Sequence, residues 1–159
     1  MSSDMVRIDA SFKGIKTQAL AEYFVNPPPG QQAMIKEMRT IEQVDADTKI
    51  VYWRFKMPMM SDRDNVISLH QRNNDDGSIY FCLKTVERAD VPEVPGCVRM
   101  FLYTRGIAKP NAESPEDIID YTEFSYFNMK GYFPARLMNM VIASETQKEF
   151  GNMYKYLIS

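Results

Sequence analysis

The stretch IVYWRFKMPMMSDRDNVI, residues 50–67, joins an alternating strand pattern to a proline, three methionines and an Asp-Arg-Asp sequence. In its first half the apolar side chains Val51, Trp53, Phe55 and Met57 occupy every second position, and the side chains between them are more polar. This alternation predicts a strand with one buried face, so we expect Trp53 to point inward. An inward tryptophan is most often an ordinary core residue, but an indole face can also hold a quaternary ammonium group.

Composition sets the class of protein. The chain has 159 residues, of which 45% are apolar and 25% charged, and this profile predicts one soluble domain spanning residues 1–159. Lysine and arginine number 19 and acidic residues 21, so the net charge of −2 predicts no general attraction to nucleic acid. No apolar run approaches the roughly 18 residues of a membrane span and no leader peptide is recognisable, so we expect a cytoplasmic protein.

Reactive side chains are few. Cys82 and Cys97 do not suffice for a disulfide framework or a closed zinc site, and we expect both to be reduced thiols. His70 is the only imidazole in the sequence, and no nucleophile signature lies near it. No glycine loop of the kind that cradles phosphates is present. The sequence therefore nominates no catalytic residue, no metal ligand and no cofactor.

Periodicity predicts an α+β domain. A strand at 5–12 precedes a helix at 15–24, which the NPPPG sequence at 26–30 ends, and a second short helix is expected at 31–38. The period then changes to two, and three strand pairs are predicted at 40–45 with 49–57, 63–72 with 78–86, and 97–107 with 118–127. A long helix follows from Pro134 to about Leu157.

The last helix carries a divided apolar stripe. Its first half and its second half place their apolar residues on different faces, and residues 144–149 between them are almost wholly polar. The two faces are formed by Leu137, Met138, Val141 and Ile142 and by Phe150, Met153, Tyr154 and Leu157. A curved sheet beneath the helix would explain the shift, since sheets twist. The alternative is that the first half covers something other than sheet.

Four stretches together resemble the START family of lipid-transfer domains, most closely the branch that contains phosphatidylcholine transfer protein. They are VYWRFKMP at 51–58, DRD at 62–64, VPGCVRMFLYTRG at 94–106 and NMKGYFPARLMN at 128–139. The resemblance runs from about residue 5 to residue 157. It implies a helix-grip fold, in which a curved antiparallel sheet wraps around the long C-terminal helix and encloses one lipid. The family's opening helix and first two strands have no counterpart, which leaves a sheet edge that could pair in a homodimer.

The resemblance also implies a headgroup site. In that branch an aromatic cage holds choline, and two of its positions match Trp53 and Tyr103. A third falls on Asn65, where the branch has an aromatic residue. The family's Trp-Asp pair ahead of the first hairpin falls on Gln31 and Gln32, so the groups that would address phosphocholine are absent. The sequence therefore predicts lipid binding more strongly than choline specificity.

Arg99 has two interpretations. Strand alternation turns it outward, because the other face of its strand is more apolar, with Val98, Met100 and Leu102. The resemblance turns it inward beside Tyr103, where it would need a carboxylate or a lipid phosphate as partner, and the predicted site adopts this inward interpretation. The Arg-Asp pair at 63–64 could also contact a headgroup, but such pairs more often tie loops together.

The predicted ligand site therefore has three parts. Trp53, Tyr103 and Arg99 are expected near the headgroup. The walls are predicted to be formed by Phe55, Met57, Phe81, Leu83 and Phe101. A lid over the lipid is predicted from Met138, Val141 and Ile142 in the first half of the last helix.

From this site the sequence predicts a carrier that takes one lipid, a phospholipid by the resemblance, from a membrane and releases it elsewhere without covalent chemistry. Burial of each methylene contributes about 0.8 kcal/mol, so a closed apolar cavity can compete with a bilayer. Membrane contact is expected to be peripheral and transient. Two alternatives stay open, namely a lipid-sensing or scaffold module that signals to a protein partner and a helix-grip enzyme of the polyketide cyclase type.

Overall fold

The computed structural model describes residues 4–30 and 34–159, without the side chains of Asp4, Ala135 and residues 137–143. In chain order the elements are β1 (Asp4–Lys13), α1 (Thr17–Val25), β2 (Ile35–Gln43), β3 (Thr48–Phe55), β4 (Asp62–Asn73), β5 (Ile79–Thr85), β6 (Cys97–Arg99), β7 (Phe101–Pro110), β8 (Ile118–Asn128) and α2 (Ala135–Ile158). The eight described strands form one sheet in the order β1-β8-β7-β5-β4-β3-β2, and β6 pairs with β4 beside this path.

The segment after the NPPPG sequence differs from its prediction. The predicted helix at 31–38 is wrong, because β2 begins at Ile35 and pairs antiparallel with β3, with Met38 opposite Trp53. Residues 31–33, which include Gln31 and Gln32, lie outside the described residues. Strand β2 is at one edge of the sheet and most of its side chains are exposed, so its sequence lacks the alternation that reveals a strand.

The strand predicted at 97–107 is two strands. Strand β6 runs parallel to the start of β4, whereas β7 runs antiparallel to β5 and β8. Between them the backbone N–H of Met100 donates to the carbonyl oxygen of Asp64 at 2.9 Å. The chain therefore changes its strand partner at Met100.

Alternation divides the sheet into two faces. The face toward the helices, called the cavity face below, includes Val51 and Trp53 on β3 and Ile67 on β4. The opposite face, called the outer face, includes Tyr52 on β3 and Val66 on β4. Because the side chains of neighbouring residues point to opposite faces, the face of one residue on a strand determines the faces of its neighbours.

Both helices pack on the cavity face. In α1 the buried residues are Leu20, Ala21, Tyr23 and Val25. In the second half of α2 the side chain of Met153 is 1% exposed, and Phe150, Tyr154 and Leu157 pack against the same core, as the sequence predicts. Stacked aromatic rings, among them Phe24 with Tyr121 at 4.9 Å, fill the space between α1, the sheet and α2. Neither described helix is long and apolar enough to cross a membrane.

Candidate functional site

A cavity of about 290 Å³ lies between the cavity face of the sheet and the two helices. Most of the side chains around it are apolar, among them Ile8, Phe24, Leu102, Phe127 and Phe150. Its volume is just below the roughly 300–1,000 Å³ typical of small-molecule sites. A partly open and largely apolar space of this kind suits a small apolar ligand.

Five of the predicted ligand-site residues lie in the cavity wall, namely Trp53, Phe55, Met57, Phe81 and Leu83. Trp53 is 8% exposed, and its ring meets Phe55 edge to face at 6.1 Å. Phe81 owes its position to the neighbouring strand, because a Cβ atom at Gly106 would lie 2.2 Å from the Phe81 ring. The absence of a side chain at Gly106 therefore lets this ring cover the sheet.

The predictions for Tyr103 and Phe101 are wrong, because both side chains are on the outer face. On β7 the residues that face the cavity are Leu102 and Thr104. Tyr103 lines a groove on the outer face together with Tyr126, and Phe101 packs edge-on against Tyr126 at 5.8 Å. A shift of one residue moves a side chain to the other face of a strand, and the apolar pattern of residues 98, 100 and 102 indicated the correct face.

Arg99 also lies on the outer face, so its predicted inward orientation is wrong. Its Nε and Nη2 donate to the two carboxylate oxygens of Asp64 at 2.9 and 3.0 Å, and its Nη1 donates to the carbonyl of Val91 at 3.0 Å. The hydroxyl of Tyr52 donates to the same carboxylate at 3.1 Å. The hydrogen bonds that Arg99 donates to Asp64 raise the pKa of Arg99, and burial together with the charge of Asp64 raises the pKa of Tyr52 to about 12. These contacts form a hydrogen-bond network on the outer face, away from the cavity.

Arg63 is 2% exposed and bonds only to backbone. Its guanidinium lies 5.6 Å from the Phe133 ring, and among the described residues it has no carboxylate partner. The guanidinium donates to the carbonyl oxygens of Ser61 at 2.6 Å, Met129 at 2.8 Å, Lys130 at 3.1 Å and Tyr132 at 3.4 Å. Burial lowers the pKa of Arg63. This arginine ties the start of β4 to the segment before α2, as the loop-tying interpretation predicts.

Two buried N–H donors on the cavity face lack acceptors. They are Nε1 of Trp53 and Nδ2 of Asn65, which lie opposite each other on β3 and β4 and find no hydrogen-bond partner among the described residues. Asn65 is 0% exposed, and its Oδ1 already accepts from the hydroxyl of Thr85 at 2.9 Å. A buried donor without a partner costs about 1–3 kcal/mol. Trp53 lines the cavity, so its indole N–H could donate to a ligand oxygen, whereas Asn65 is not among the residues that line the cavity.

Three glutamates line the same cavity from β8 and α2. Glu123 accepts hydrogen bonds from the hydroxyls of Tyr121 and Ser125. Burial, followed by repulsion from Glu145 and Glu123, raises the pKa of Glu149. We call Glu123, Glu145 and Glu149 the acidic wall.

Sequence reasoning missed the acidic wall, although two signals were present. Glu123 alternates with Tyr121 and Phe127, which both face the helices. Glu145 and Glu149 are four residues apart, a spacing that puts them on one face of a helix. The polar stretch at 144–149 is therefore not a gap in the apolar stripe, since part of it lines the cavity.

The predicted lid falls on residues whose side chains are not described. Met138, Val141 and Ile142 belong to α2 by their backbone, and their side chains lie outside the described residues. The lid stays a prediction. The described residues contain no group of histidine, cysteine, aspartate or glutamate placed to hold a metal ion.

Comparison with known proteins identifies the class. Residues 31–156 match the START domain family, and the chain belongs to it. No curated protein gives a significant match to the sequence. The fold is similar to solved StAR-related domains, so the predicted α+β helix-grip architecture is confirmed.

Three solved structures show this likeness. Human StAR-related lipid transfer protein 5 has a TM-score of 0.82 and 17% identity, over 96% of this chain and 74% of that one. The StAR-related lipid transfer protein from Xanthomonas axonopodis has a TM-score of 0.78 and 18% identity, and the match covers 98% of this chain and 86% of that one. The human StarD13 lipid transfer and protein localization domain has a TM-score of 0.77 and 15% identity, and the match covers 94% of this chain and 76% of that one. At these identities the likeness shows the fold alone.

Proposed function

We propose that this protein binds one lipid in the cavity between the sheet and α2 and carries it between membranes without covalent chemistry. The observation that carries the proposal is the largely apolar cavity between the sheet and the helices of a START domain. Each buried methylene contributes about 0.8 kcal/mol, so an acyl chain that leaves a bilayer for this cavity loses little apolar burial. In this proposal the protein is cytoplasmic and touches membranes transiently, and a phospholipid cargo is the prediction of the sequence resemblance.

Exposed apolar side chains support a membrane contact at one end of the cavity. Met59 is 97% exposed and Tyr132 is 86% exposed. They lie close in sequence to Met57 and Phe133, which line the cavity. Arg63 bonds to the carbonyl oxygens of both segments and so holds them side by side. Apolar and aromatic side chains presented together in this way fit a bilayer interface, where the cargo would enter.

A matched pair of tryptophan substitutions tests the cavity. Leu83 lines it, whereas Lys84, the next residue on β5, is exposed. Leu83→Trp should fill the cavity and reduce transfer of a fluorescent lipid between donor and acceptor vesicles to background, because added volume displaces the ligand. Lys84→Trp should transfer at the wild-type rate.

Circular dichroism and thermal melting decide whether each variant is folded. Should Leu83→Trp not fold, Thr104→Met adds less volume to the same cavity and serves as the second variant. A folded variant with a filled cavity that transfers lipid at the wild-type rate would contradict the proposal. Wild-type protein that binds lipid but never transfers it would favour the lipid-sensing alternative.

The membrane contact has its own test. Met59→Asp combined with Tyr132→Asp should slow transfer while lipid binding in solution persists, because charge at the entry disfavours contact with the bilayer interior. Val44→Asp, at a residue 51% exposed beside the β2–β3 turn, is the matched control and should leave the rate unchanged. Equal slowing by the two changes would place the membrane contact elsewhere.

A further inference from the structure

No basic side chain lines the cavity beside the acidic wall among the described residues. Among the described residues that line the cavity none is lysine, arginine or histidine, and the side chains that are not described include none of these either. Lys148 pairs with Glu145 at 2.9 Å, but the lysine is 67% exposed and belongs to the surface. Within the described part of the chain Glu149 has neither a hydrogen bond nor an ion pair. Among the described residues the one cation paired with the acidic wall is therefore at the surface, and Glu149 keeps its carboxyl group in the cavity without a partner.

This arrangement is unfavourable in the empty protein. Like charges four residues apart on a helix repel each other, and Glu145 and Glu149 have this spacing. A buried carboxylate without a partner carries a further desolvation penalty. The raised pKa of Glu149 reflects both effects, together with repulsion from Glu123. A positively charged ligand group would remove the imbalance.

The indole N–H of Trp53 adds an independent requirement. Trp53 lines the cavity and is 8% exposed, and its Nε1 is a donor without an acceptor among the described residues. A cation cannot satisfy this donor, whereas a hydroxyl or carbonyl oxygen can. An anionic lipid group would meet three carboxylates, and Arg63 is already bonded to four backbone carbonyls.

We infer that the cargo is an amine-bearing lipid, whose ammonium group binds at Glu123, Glu145 and Glu149 and whose hydroxyl or carbonyl oxygen accepts from the indole N–H of Trp53. No anionic group of the lipid enters the cavity. This inference rests on the proposed carrier function, because it names the class of lipid that the carrier takes, and it replaces the phospholipid that the sequence resemblance predicts. The modest cavity volume, about 290 Å³, fits one alkyl chain better than two.

Three probes with the same alkyl chain separate charge from apolar burial. A primary amine, the corresponding alcohol and the corresponding carboxylate are titrated into the full chain by calorimetry at neutral pH, each below its micelle-forming concentration. The amine should bind about tenfold tighter than the alcohol, because charge-assisted hydrogen bonds exceed neutral ones, and the carboxylate should bind weakest. Equal affinity for amine and alcohol, or preference for the carboxylate, would overturn the inference.

Charge-matched variants show whether the preference arises in the cavity. Glu149→Gln should lower the affinity for the amine about tenfold and leave the affinity for the alcohol unchanged. Glu116→Gln removes one carboxylate from an exposed position between β7 and β8 and should change neither. An equal loss with both variants would mean that the amine responds only to net charge. If Glu149→Gln does not fold, Glu145→Gln makes the same test from the same helix.

The outcomes also separate this inference from the proposed function. If none of the three probes binds but the protein extracts lipid from phospholipid vesicles, the inference is wrong and the carrier function stands. If the protein takes up neither the probes nor any vesicle lipid, both are wrong.

Discussion

The two faces of the sheet differ in how completely their buried polar residues are hydrogen-bonded. On the outer face Tyr52 and Asp64 bond to each other, and Arg99 completes the network with two hydrogen bonds to the carboxylate. One residue further along each strand, Trp53 and Asn65 leave buried N–H groups without acceptors among the described residues. Among the described residues the network of Tyr52, Asp64 and Arg99 is complete without a ligand, whereas Trp53 lines the cavity with an indole N–H that has no acceptor. The hydroxyl of Tyr23 is also buried without a partner but does not line the cavity, so an unpaired group points to a site only where it also lines the cavity.

The largest effect is expected from breaking the outer network. Asp64→Ala leaves Arg99, which is 14% exposed, without its carboxylate and should destabilise the fold by about 3–5 kcal/mol in urea denaturation. Asp90→Ala is the control, because Asp90 pairs with Arg88 at the surface and contributes little. Similar small decreases in the free energy of unfolding for both variants would show that the network contributes little to the stability of the outer face.

The packing of the cavity face gives the next largest effect. Gly106→Ala places a methyl group where the Phe81 ring lies, and the overpacking should cost about 1–3 kcal/mol and weaken lipid binding. Gly151→Ala in α2 meets no atom within 4 Å and should stabilise the protein by about 0.5–1 kcal/mol. Thermal melting compares the two, and a neutral Gly106→Ala would refute the stated position of Phe81.

Paired phenylalanine substitutions sharpen the comparison of the two faces. Tyr52→Phe removes a hydrogen bond that exists and should cost about 1 kcal/mol of stability with no change in lipid affinity. Trp53→Phe removes an N–H that has no protein partner and should weaken lipid binding about fivefold, the value of one hydrogen bond to a ligand. Lipid affinity is measured for both variants. An equal loss of lipid affinity in Tyr52→Phe and Trp53→Phe would contradict the assignment of the ligand site to the cavity face.

The smallest effect is a pH dependence at the acidic wall. The pKa of Glu149 is raised above its ordinary value of 4.5, so the folded protein holds this proton more strongly than the unfolded chain. The stability from this group is therefore present below about pH 4.5 and is lost as pH rises through the folded-state pKa. Glu123, Glu145 and the hydroxyl of Tyr23 are the neighbouring titratable groups.

Glu149→Gln should consequently raise Tm relative to wild type at neutral pH, and the gain should shrink near pH 4. Glu116→Gln, at an exposed position, should change Tm little at either pH. A gain for Glu149→Gln that is independent of pH would mean that ionisation of this carboxyl is not its cause.

Much of the fold and one wall of the site could be predicted from the sequence. The alternation at 51–57 placed Trp53, Phe55 and Met57 on the side of the cavity, because a strand with one buried face repeats every second residue. The same local rule gave the correct face for Arg99. Transfer of the inward position of Arg99 and Tyr103 from the family was wrong, although the local pattern of apolar residues opposed it.

The other features could not be predicted, because their residue types are typical of exposed positions. Strand β2 lies at the sheet edge and is mostly exposed, so its alternation is weak. Glu123, Glu145 and Glu149 are charged, and charged residues are usually solvated, so their inward positions were not anticipated. The absence of partners for Trp53 and Asn65 depends on contacts between strands, which no single stretch of sequence reveals.

Native mass spectrometry of protein purified from cells without detergent shows whether the cavity holds one lipid. We expect a single lipid bound per chain in the wild type and in Lys84→Trp, and none in folded Leu83→Trp. Fragmentation of the released molecule then identifies its polar group. A bare protein mass that persists after incubation with vesicles of mixed lipids would contradict the account.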